Sequence, residues 1–168
     1  AFYPNDTSGV RLVGASGVYL IYSDDEGQTW QDAQFSPKSY DHWGSPNNLI
    51  VLPDSANTIY YLAHAWSNVS WGSRSWLYRS TDGGKNFSRI KAFLPEEKHR
   101  VSMWSPYKSE EVYVLEGGNT IHYFASDTSY SMFVDGLSNN GNIGLSGYQS
   151  DSTLIMYALE NKNKVYKS

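Results

Sequence analysis

An eight-residue pattern that occurs twice constrains the fold of this chain more than any other feature. It reads Ser-x-Asp-x-Gly-x-x-aromatic, first as "SDDEGQTW" over Ser23–Trp30 (the first box) and again as "STDGGKNF" over Ser80–Phe87 (the second box). A weaker version, "ASDTSYSM", begins at Ala125 and keeps only Asp127 in place. The three starts are 57 and 45 residues apart, and self-similarity at such spacing indicates a repeat protein.

The segments that lead into each box also repeat, and they have the composition of strands. The first runs are "VRLVGAS", "TIYYLAH", "EVYVLEG" and "TLIMYAL", and the second runs are "YLIYS", "WLYRS", "IHYFA" and "KVYKS". A further strand, "NNLIVLP", "HRVSMWSP" or "GNIGLSGY", precedes three of these units, and residues 62–75 are assigned to an inserted loop. Tyrosine and β-branched residues favour strands, and no long apolar helical period interrupts them.

Units of this size have room for four short strands, which is the size of a β-propeller blade. We therefore predict an all-β chain whose repeat units span residues 1–35, 36–92, 93–136 and 137–168. The boxes resemble the Asp-box (BNR) repeat of the sialidase-like, sortilin-like and xyloglucanase-like propellers. The resemblance implies blades of four antiparallel strands with Asp-box hairpins at the blade periphery, away from the central site. Because the box occurs in enzymes and in non-enzymes, it implies a fold more than a function.

Each box residue has a structural reason to be where it is. Asp25 and Asp82 can accept hydrogen bonds from the backbone of their own turn, as Asx-turns do. The glycines allow positive φ at low cost, and the aromatic residues can bury a ring face against the sheet. The residues we expect to be structural are Ser23, Asp25, Gly27, Thr29, Trp30, Ser80, Asp82, Gly84, Phe87 and Asp127.

The number of repeat units predicts a partial propeller, truncated at both ends. Nothing before "VRLVGAS" supplies a leading strand, and the final "VYKS" stops at the first serine of a further box. Closed propellers have about four to eight blades. The expected partners are therefore the remaining blades, from the same longer chain or from an assembly.

Composition and charge exclude several other classes of function. The formal net charge is −4 with scattered cations, which argues against a nucleic-acid surface. No apolar run is long enough to span a bilayer, and there is no cysteine to act as nucleophile or metal ligand. The four histidines, His42, His64, His99 and His122, have no ligand spacing, so we expect no metal and no cofactor.

Candidates for ligand binding lie in two stretches that have no counterpart in the other repeats. The first is "YDHWG", which combines an acid, an imidazole and two aromatic rings that could line a carbohydrate subsite or simply pack their own loop. The second is the inserted loop with its tryptophans. The candidate ligand-binding residues are Tyr40, Asp41, His42, Trp43, Trp66 and Trp71. No arginine triad or pair of cleft carboxylates emerges, so no catalytic residue is assigned.

Two functions remain open at this point. Three N-glycosylation sequons, at Asn5, Asn68 and Asn86, permit a secreted or cell-surface protein. The favoured reading is a non-catalytic extracellular propeller module that acts as a scaffold or binding platform, with a glycan or a protein as ligand. The alternative is a fragment of a sialidase-like or xyloglucanase-like glycoside hydrolase whose catalytic residues lie mostly elsewhere.

Overall fold

The structure is a computed structural model, and all of its described secondary structure is β. It describes residues 12–16, 19–36, 49–52, 57–65, 74–93, 101–106, 110–116, 119–125, 128–135, 143–149, 153–160 and 164–167. Within these ranges there are fifteen strands in four sheets, and no helix long and apolar enough to cross a membrane. The predicted fold class, an all-β chain of blade-like antiparallel sheets, is confirmed. The chain divides into two compact units, Ala1–Phe93 and Leu94–Ser168.

The first sheet contains the first box. Its strands are β1 (Leu12–Ser16), β2 (Tyr19–Ser23) and β3 (Gln31–Asp32), which pair antiparallel in chain order. The box joins β2 to β3. Alternation along β1 and β2 buries Val13 and Leu20 on one face, as expected for a strand with one covered side.

The second sheet contains the second box and is larger than predicted. Its strands are β4 (Gln34–Ser36), β5 (Leu49–Val51), β6 (Ile59–Ala65), β7 (Arg74–Ser80) and β8 (Asn86–Phe93), in the spatial order β4-β8-β7-β6-β5. The β5-β6-β7-β8 part is an antiparallel meander, whereas β4 pairs parallel to β8.

The hairpin of β6 and β7 extends into the segment that the sequence assigned to a loop. Leu62 pairs with Leu77 and Ala63 with Trp76. Leu62 and Ala63 are fully buried, and the apolar area they remove from water favours continuing the strand beyond Tyr61.

The first and second sheets share one core. Val13 and Leu20 of the first sheet, with Ala33 between β3 and β4, pack against residues of the second sheet, which are Ile59, Tyr61, Ala63, Tyr78 and Phe87. A single residue, Ala33, separates β3 from β4. The chain therefore pairs with β2 through β3 and, directly afterwards, with β8 through β4. This places Phe35 against Phe87, with stacked rings whose centroids are 5.4 Å apart.

The third sheet is a regular four-stranded antiparallel meander. Its strands are β9 (Ser102–Trp104), β10 (Val112–Glu116), β11 (Thr120–Phe124) and β12 (Ser129–Phe133), in the order β12-β11-β10-β9. The link between β11 and β12 is short, and the Ala125 N–H donates to the Thr128 carbonyl at 2.8 Å. This link replaces the longer box loops; Asp127 itself lies outside the described residues.

The fourth sheet packs on the third. Its strands are β13 (Ile143–Gln149), β14 (Leu154–Glu160) and β15 (Lys164–Lys167), all antiparallel. Their shared core consists of Tyr113, Leu115, Ile121, Leu145, Met156 and Ala158.

Candidate functional site

The first box is a turn held by its own side chains. The Ser23 hydroxyl donates to Asp25 Oδ1 at 2.7 Å and accepts from the Gly27 N–H at 2.8 Å. Asp25 Oδ1 also accepts from the Thr29 N–H at 2.8 Å, and Asp25 Oδ2 accepts from the Thr29 hydroxyl. The turn requires positive φ at Glu26 (62°) and Gly27 (85°), which is why a glycine is needed there. Both carboxylate oxygens of Asp25 are therefore used inside the turn.

The second box repeats the main hydrogen bonds of this network, with Asn86 in the place of Thr29 and one more bond, from the Lys85 N–H. The Ser80 hydroxyl donates to Asp82 Oδ1 at 2.8 Å and accepts from the Gly84 N–H at 2.9 Å. Asp82 Oδ1 accepts from the backbone N–H groups of Lys85 and Asn86, and Asp82 Oδ2 accepts from Asn86 Nδ2 at 2.7 Å. Asn86 thus holds the second carboxylate oxygen of its box. From the sequence alone, Asn86 is predicted only to be part of an N-glycosylation sequon.

The hydrogen bonds lower the pKa of both box acids. The hydroxyl and the backbone N–H of Thr29, followed by the hydroxyl of Ser23, lower the pKa of Asp25 to about 2. Partial burial by itself would raise the pKa of Asp82, but the bonds from the Asn86 side chain and backbone outweigh burial and lower it. Donors that favour the ionised form act in this direction. Both acids are consequently fixed acceptors.

Stability should fall in acid because of these two groups. An aspartate whose folded pKa lies below its unfolded value contributes stability above the unfolded pKa, near 3.8, and loses it as the pH falls through the folded pKa. We therefore expect the melting temperature to drop between about pH 4 and about pH 2. The Asp82→Asn variant should show a smaller drop than the unmodified chain over the same interval. Equal drops in the two proteins would contradict the role of this carboxylate.

The two box aromatics differ in burial. Phe87 is 1% exposed, as expected, but Trp30 is 44% exposed. The Trp30 ring lies across Gly14 and Gly27 of its own sheet. The second box also contacts the first box, since the Lys85 ammonium lies 2.7 Å from the Asp24 carboxylate. The Lys85 carbonyl accepts from the Gln34 N–H at the start of β4. The motif determines the conformation of the turn, whereas the burial of its aromatic residue depends on whether another sheet packs against that residue.

A row of four aromatic side chains crosses the third sheet. Trp104, Tyr113, Tyr123 and Tyr130 lie one on each strand and are direct cross-strand partners. Their ring centroids are 5.9, 5.4 and 4.5 Å apart along the row. Exposure differs between the rings, because Tyr113 is 5% exposed and Tyr130 is 49% exposed. We call these four residues the aromatic row.

Glu111 lies beside the aromatic row and binds two of its hydroxyls. Tyr113 donates to Glu111 Oε2 and Tyr123 donates to Glu111 Oε1, each at 3.1 Å. The Glu111 carbonyl in turn accepts from the Ser105 hydroxyl at 2.7 Å. Burial, together with the negative charge of Glu111, raises the pKa of Tyr113 above its usual value. Tyr113 thus remains a donor, and the arrangement combines fixed rings with an oriented carboxylate.

The opposite face of the third sheet carries a second polar cluster. His122 Nε2 lies 2.6 Å from Glu116 Oε2, and His122 Nδ1 lies 2.6 Å from the Ser131 hydroxyl. These are the residue types of a hydrolase triad. However, Ser131 lies within strand β12, and not on the sharp strand-to-helix turn that exposes the nucleophile of α/β-hydrolases. The cluster supplies both nitrogens of a buried imidazole with partners, which is what burial of a polar ring requires.

All six ligand-binding candidates from the sequence lie outside the described residues. These are Tyr40, Asp41, His42, Trp43, Trp66 and Trp71, and the sequon residues Asn5 and Asn68 lie outside as well. Within the part of the chain that the structure describes, no group of three or more His, Asp or Glu side chains is placed to hold a metal ion. Sequence reasoning missed the aromatic row. The signal that could have revealed it is the alternation that puts Tyr113 and Tyr123 on one face, combined with the register of their hairpin.

The fold and these clusters define an all-β protein of blade-like sheets. No protein-family model matches the sequence, and no curated protein matches it. A solved protein of unknown function from Dyadobacter fermentans is similar over 99% of this chain and 50% of its own, with 15% identity and a TM-score of 0.48. The GH74 enzyme NkGH74 from Niastella koreensis is similar over 94% of this chain and 28% of its own, with 19% identity and a TM-score of 0.42. The chain thus spans about half the length of the first and less than a third of the second.

Proposed function

We propose that the chain is a non-catalytic part of a β-propeller of the Asp-box (BNR) kind, in a secreted or cell-surface protein. It acts as a scaffold or as a binding platform for a glycan or protein ligand. Its other partners are further blades of the same kind, from the same longer chain or from an assembly.

The observation that carries this proposal is the state of the two box carboxylates. A general acid must hold a proton near the working pH, which glycosidases achieve by raising a carboxyl pKa. The pKa of Asp25 is lowered to about 2, and that of Asp82 is also lowered. A carboxylate nucleophile must reach its substrate, but both oxygens of each aspartate accept hydrogen bonds within their own turn. The boxes therefore support a structural role.

The exposure of the first sheet supports further blades as partners. The strand register matches residues of the first sheet to residues of the second, because Leu12 pairs with Ser23 of its box and Ile59 pairs with Ser80 of its box. These pairs are Leu12 and Ile59, Gly14 and Tyr61, Ile21 and Tyr78, and Trp30 and Phe87. The second-sheet members are all fully buried against the first sheet, whereas the first-sheet members are half-buried or exposed. The exposed face of the first sheet therefore has the register and the apolar character of the second-sheet face that is buried against a sheet, which suits it to pack against a further blade.

A secreted or cell-surface location is supported by the sequons at Asn5, Asn68 and Asn86. The Asn86 side chain is exposed, although its amide donates to Asp82. Expression through a eukaryotic secretory pathway, followed by removal of N-glycans with an amidase, tests this by the change in mass. An unchanged mass at all three asparagines would count against the secreted location.

Hydrolysis assays test the proposed absence of catalysis. We expect no turnover of aryl glycosides or of xyloglucan and sialyl oligosaccharides by the purified chain, because its box acids are fixed hydrogen-bond acceptors. The matched variant is Asp82→Asn. Turnover that this variant abolishes, with its melting temperature at neutral pH retained, would show that the box is catalytic and that the proposal is wrong.

A further inference from the structure

We propose that the outer edge of the first sheet, over residues 28–32, accepts an extended strand from a further blade. We call this range the acceptor edge. The incoming strand runs parallel to β3 and places an aromatic side chain against Trp30. This inference rests on the proposed function, and it names the element and the side chain with which a further blade binds.

The second box shows how such an edge is occupied. Strand β4 pairs parallel with the start of β8 and sets Phe35 opposite Phe87. The Lys85 carbonyl accepts from the Gln34 N–H at 2.8 Å. The two phenylalanine rings stack with centroids 5.4 Å apart, and Tyr78 meets Phe35 edge-on at 5.1 Å. Strand β4 therefore contributes both main-chain pairing and one aromatic ring.

The acceptor edge has the register of this occupied edge. Ile21 pairs with Asp32 in the first sheet, and Tyr78 pairs with Arg89 in the second. The two pairs are separated by the same 57 residues as the serines of the two boxes. The other residues of the two edges correspond in the same way, Gln28 to Lys85 and Trp30 to Phe87. The acceptor edge is thus the counterpart of the segment that binds β4.

The backbone of the acceptor edge presents polar groups away from its own sheet. The Ala33 N–H donates to the Leu20 carbonyl at 2.9 Å, so this pair occupies a hydrogen-bonded position. Such positions alternate along antiparallel strands, and the Asp32 N–H therefore points away from β2. Among the described residues no strand pairs with β3 on that side, since the first sheet ends at β3. An edge of this kind is a template for a further strand.

The side chains at this edge form an apolar surface. Trp30 is 44% exposed, whereas its counterpart Phe87, which stacks on Phe35, is 1% exposed. A Cβ added at Gly14 would lie 3.6 Å from Ile21 and 3.8 Å from Trp30, so these three residues adjoin one another. They hold the places of the three rings grouped around Phe35, which are Tyr61, Tyr78 and Phe87. An incoming aromatic ring would remove this surface from water.

A polypeptide strand is the occupant that matches both the backbone and the side chains of this edge. A sugar stacked on Trp30 would not continue the main-chain ladder, whereas a strand supplies the ladder and a side chain together. Strand β4 of a second copy is already paired with β8 of its own chain. The occupant is therefore a strand of a further blade that has the sequence type of β4, an aromatic residue between polar ones.

The test measures binding of an eight-residue peptide to the whole chain by fluorescence anisotropy. The peptide has the sequence of residues 31–38, "QDAQFSPK", and its control carries alanine in place of the phenylalanine. We expect saturable binding of the first peptide and binding of the control at least about tenfold weaker, because the control lacks the ring that stacks. Fluorine NMR of chain labelled with 5-fluorotryptophan locates the peptide. Trp30→Phe identifies the Trp30 resonance, which should shift as the peptide binds.

Two substitutions at Asp32 separate main-chain pairing from other effects. Asp32→Pro removes the outward N–H and leaves the pairing with β2 in place, because proline is tolerated where the N–H of an edge strand faces outward. It should weaken peptide binding about fivefold, the effect of one hydrogen bond. Asp32→Ala is the matched control, which keeps the N–H and should keep the affinity within about twofold.

Substitutions at Trp30 test the side-chain contact and do not depend on how Asp32→Pro folds. Trp30→Phe should keep the affinity within about threefold, because phenylalanine holds the same place in the second box. Trp30→Ala should weaken binding about tenfold through loss of the ring.

Four results would overturn the assignment. They are no saturable binding of the first peptide, equal binding of the two peptides, binding that leaves the Trp30 resonance unmoved, and binding that a folded Trp30→Ala variant retains in full. None of these results would contradict a non-catalytic module, whereas glycoside turnover lost in Asp82→Asn would. The acceptor edge and the proposed function can therefore fail separately.

Discussion

The Phe87→Ala substitution is expected to lower the free energy of unfolding by about 3–5 kcal/mol, the usual cost of removing a large buried aromatic ring. Phe87 is 1% exposed, and its ring stacks on Phe35 with centroids 5.4 Å apart. Tyr61 meets it edge-on at 6.4 Å. Val13 and Leu20 of the first sheet belong to the same core, so a cavity at Phe87 would disturb the packing of both sheets. Chemical denaturation followed by far-ultraviolet circular dichroism measures the loss.

Trp30→Ala is the control for this prediction, because Trp30 holds the same place in the first box. It is larger than phenylalanine but 44% exposed, so its loss removes less buried area and should cost less than about 2 kcal/mol. Equal losses in the two variants would contradict the burial described here. A larger loss for Trp30→Ala would show that its exposed face is covered by another sheet in solution.

The difference between these two residues shows where sequence reasoning reaches its limit. The boxes could be predicted because Ser80, Asp82 and Gly84 act within one turn, and short-range hydrogen bonds leave a short-range pattern. Burial of the aromatic residue depends on a neighbouring sheet, which the motif does not encode. The strands followed from composition and alternation, but the parallel pairing of β4 with β8 joins residues far apart in the chain and has no local signal.

The candidate site was less predictable than the fold. Glu111 appears in the sequence as a turn residue, and nothing local indicates that it binds both Tyr113 and Tyr123. Alignment of Trp104 and Tyr130 with these tyrosines depends on the register of three separate strand pairs. A slip of one residue in any pair would move a ring to the other face of the sheet. The aromatic row can therefore be predicted only when the register of the strand pairs is known.

The second large effect is expected at Gly84, where Gly84→Ala should cost about 2–5 kcal/mol through backbone strain and overpacking together. The backbone has φ of +90°, which side chains with a β-carbon rarely adopt. An added Cβ would also lie 2.8 Å from Val13 Cγ2 and 3.2 Å from Ile59 Cδ1. Val13 belongs to the first sheet and Ile59 to the second, so the added methyl group would meet buried side chains of both sheets.

Two other glycines separate the two causes. Gly27 has nearly the same φ, +85°, but an added Cβ would meet only the end of the Leu12 side chain at 3.1 Å and the Trp30 ring at 3.6 Å. Gly27→Ala should therefore show the backbone cost alone, about 1–2 kcal/mol. Gly144→Ala has nothing within 4 Å and no left-handed backbone, so its effect should stay within about 0.5 kcal/mol. Thermal and chemical denaturation of the three variants should rank them Gly84, Gly27, Gly144. If Gly84→Ala cost no more than Gly27→Ala, the close packing of Val13 and Ile59 on Gly84 would be contradicted, because Gly27 lacks these two contacts.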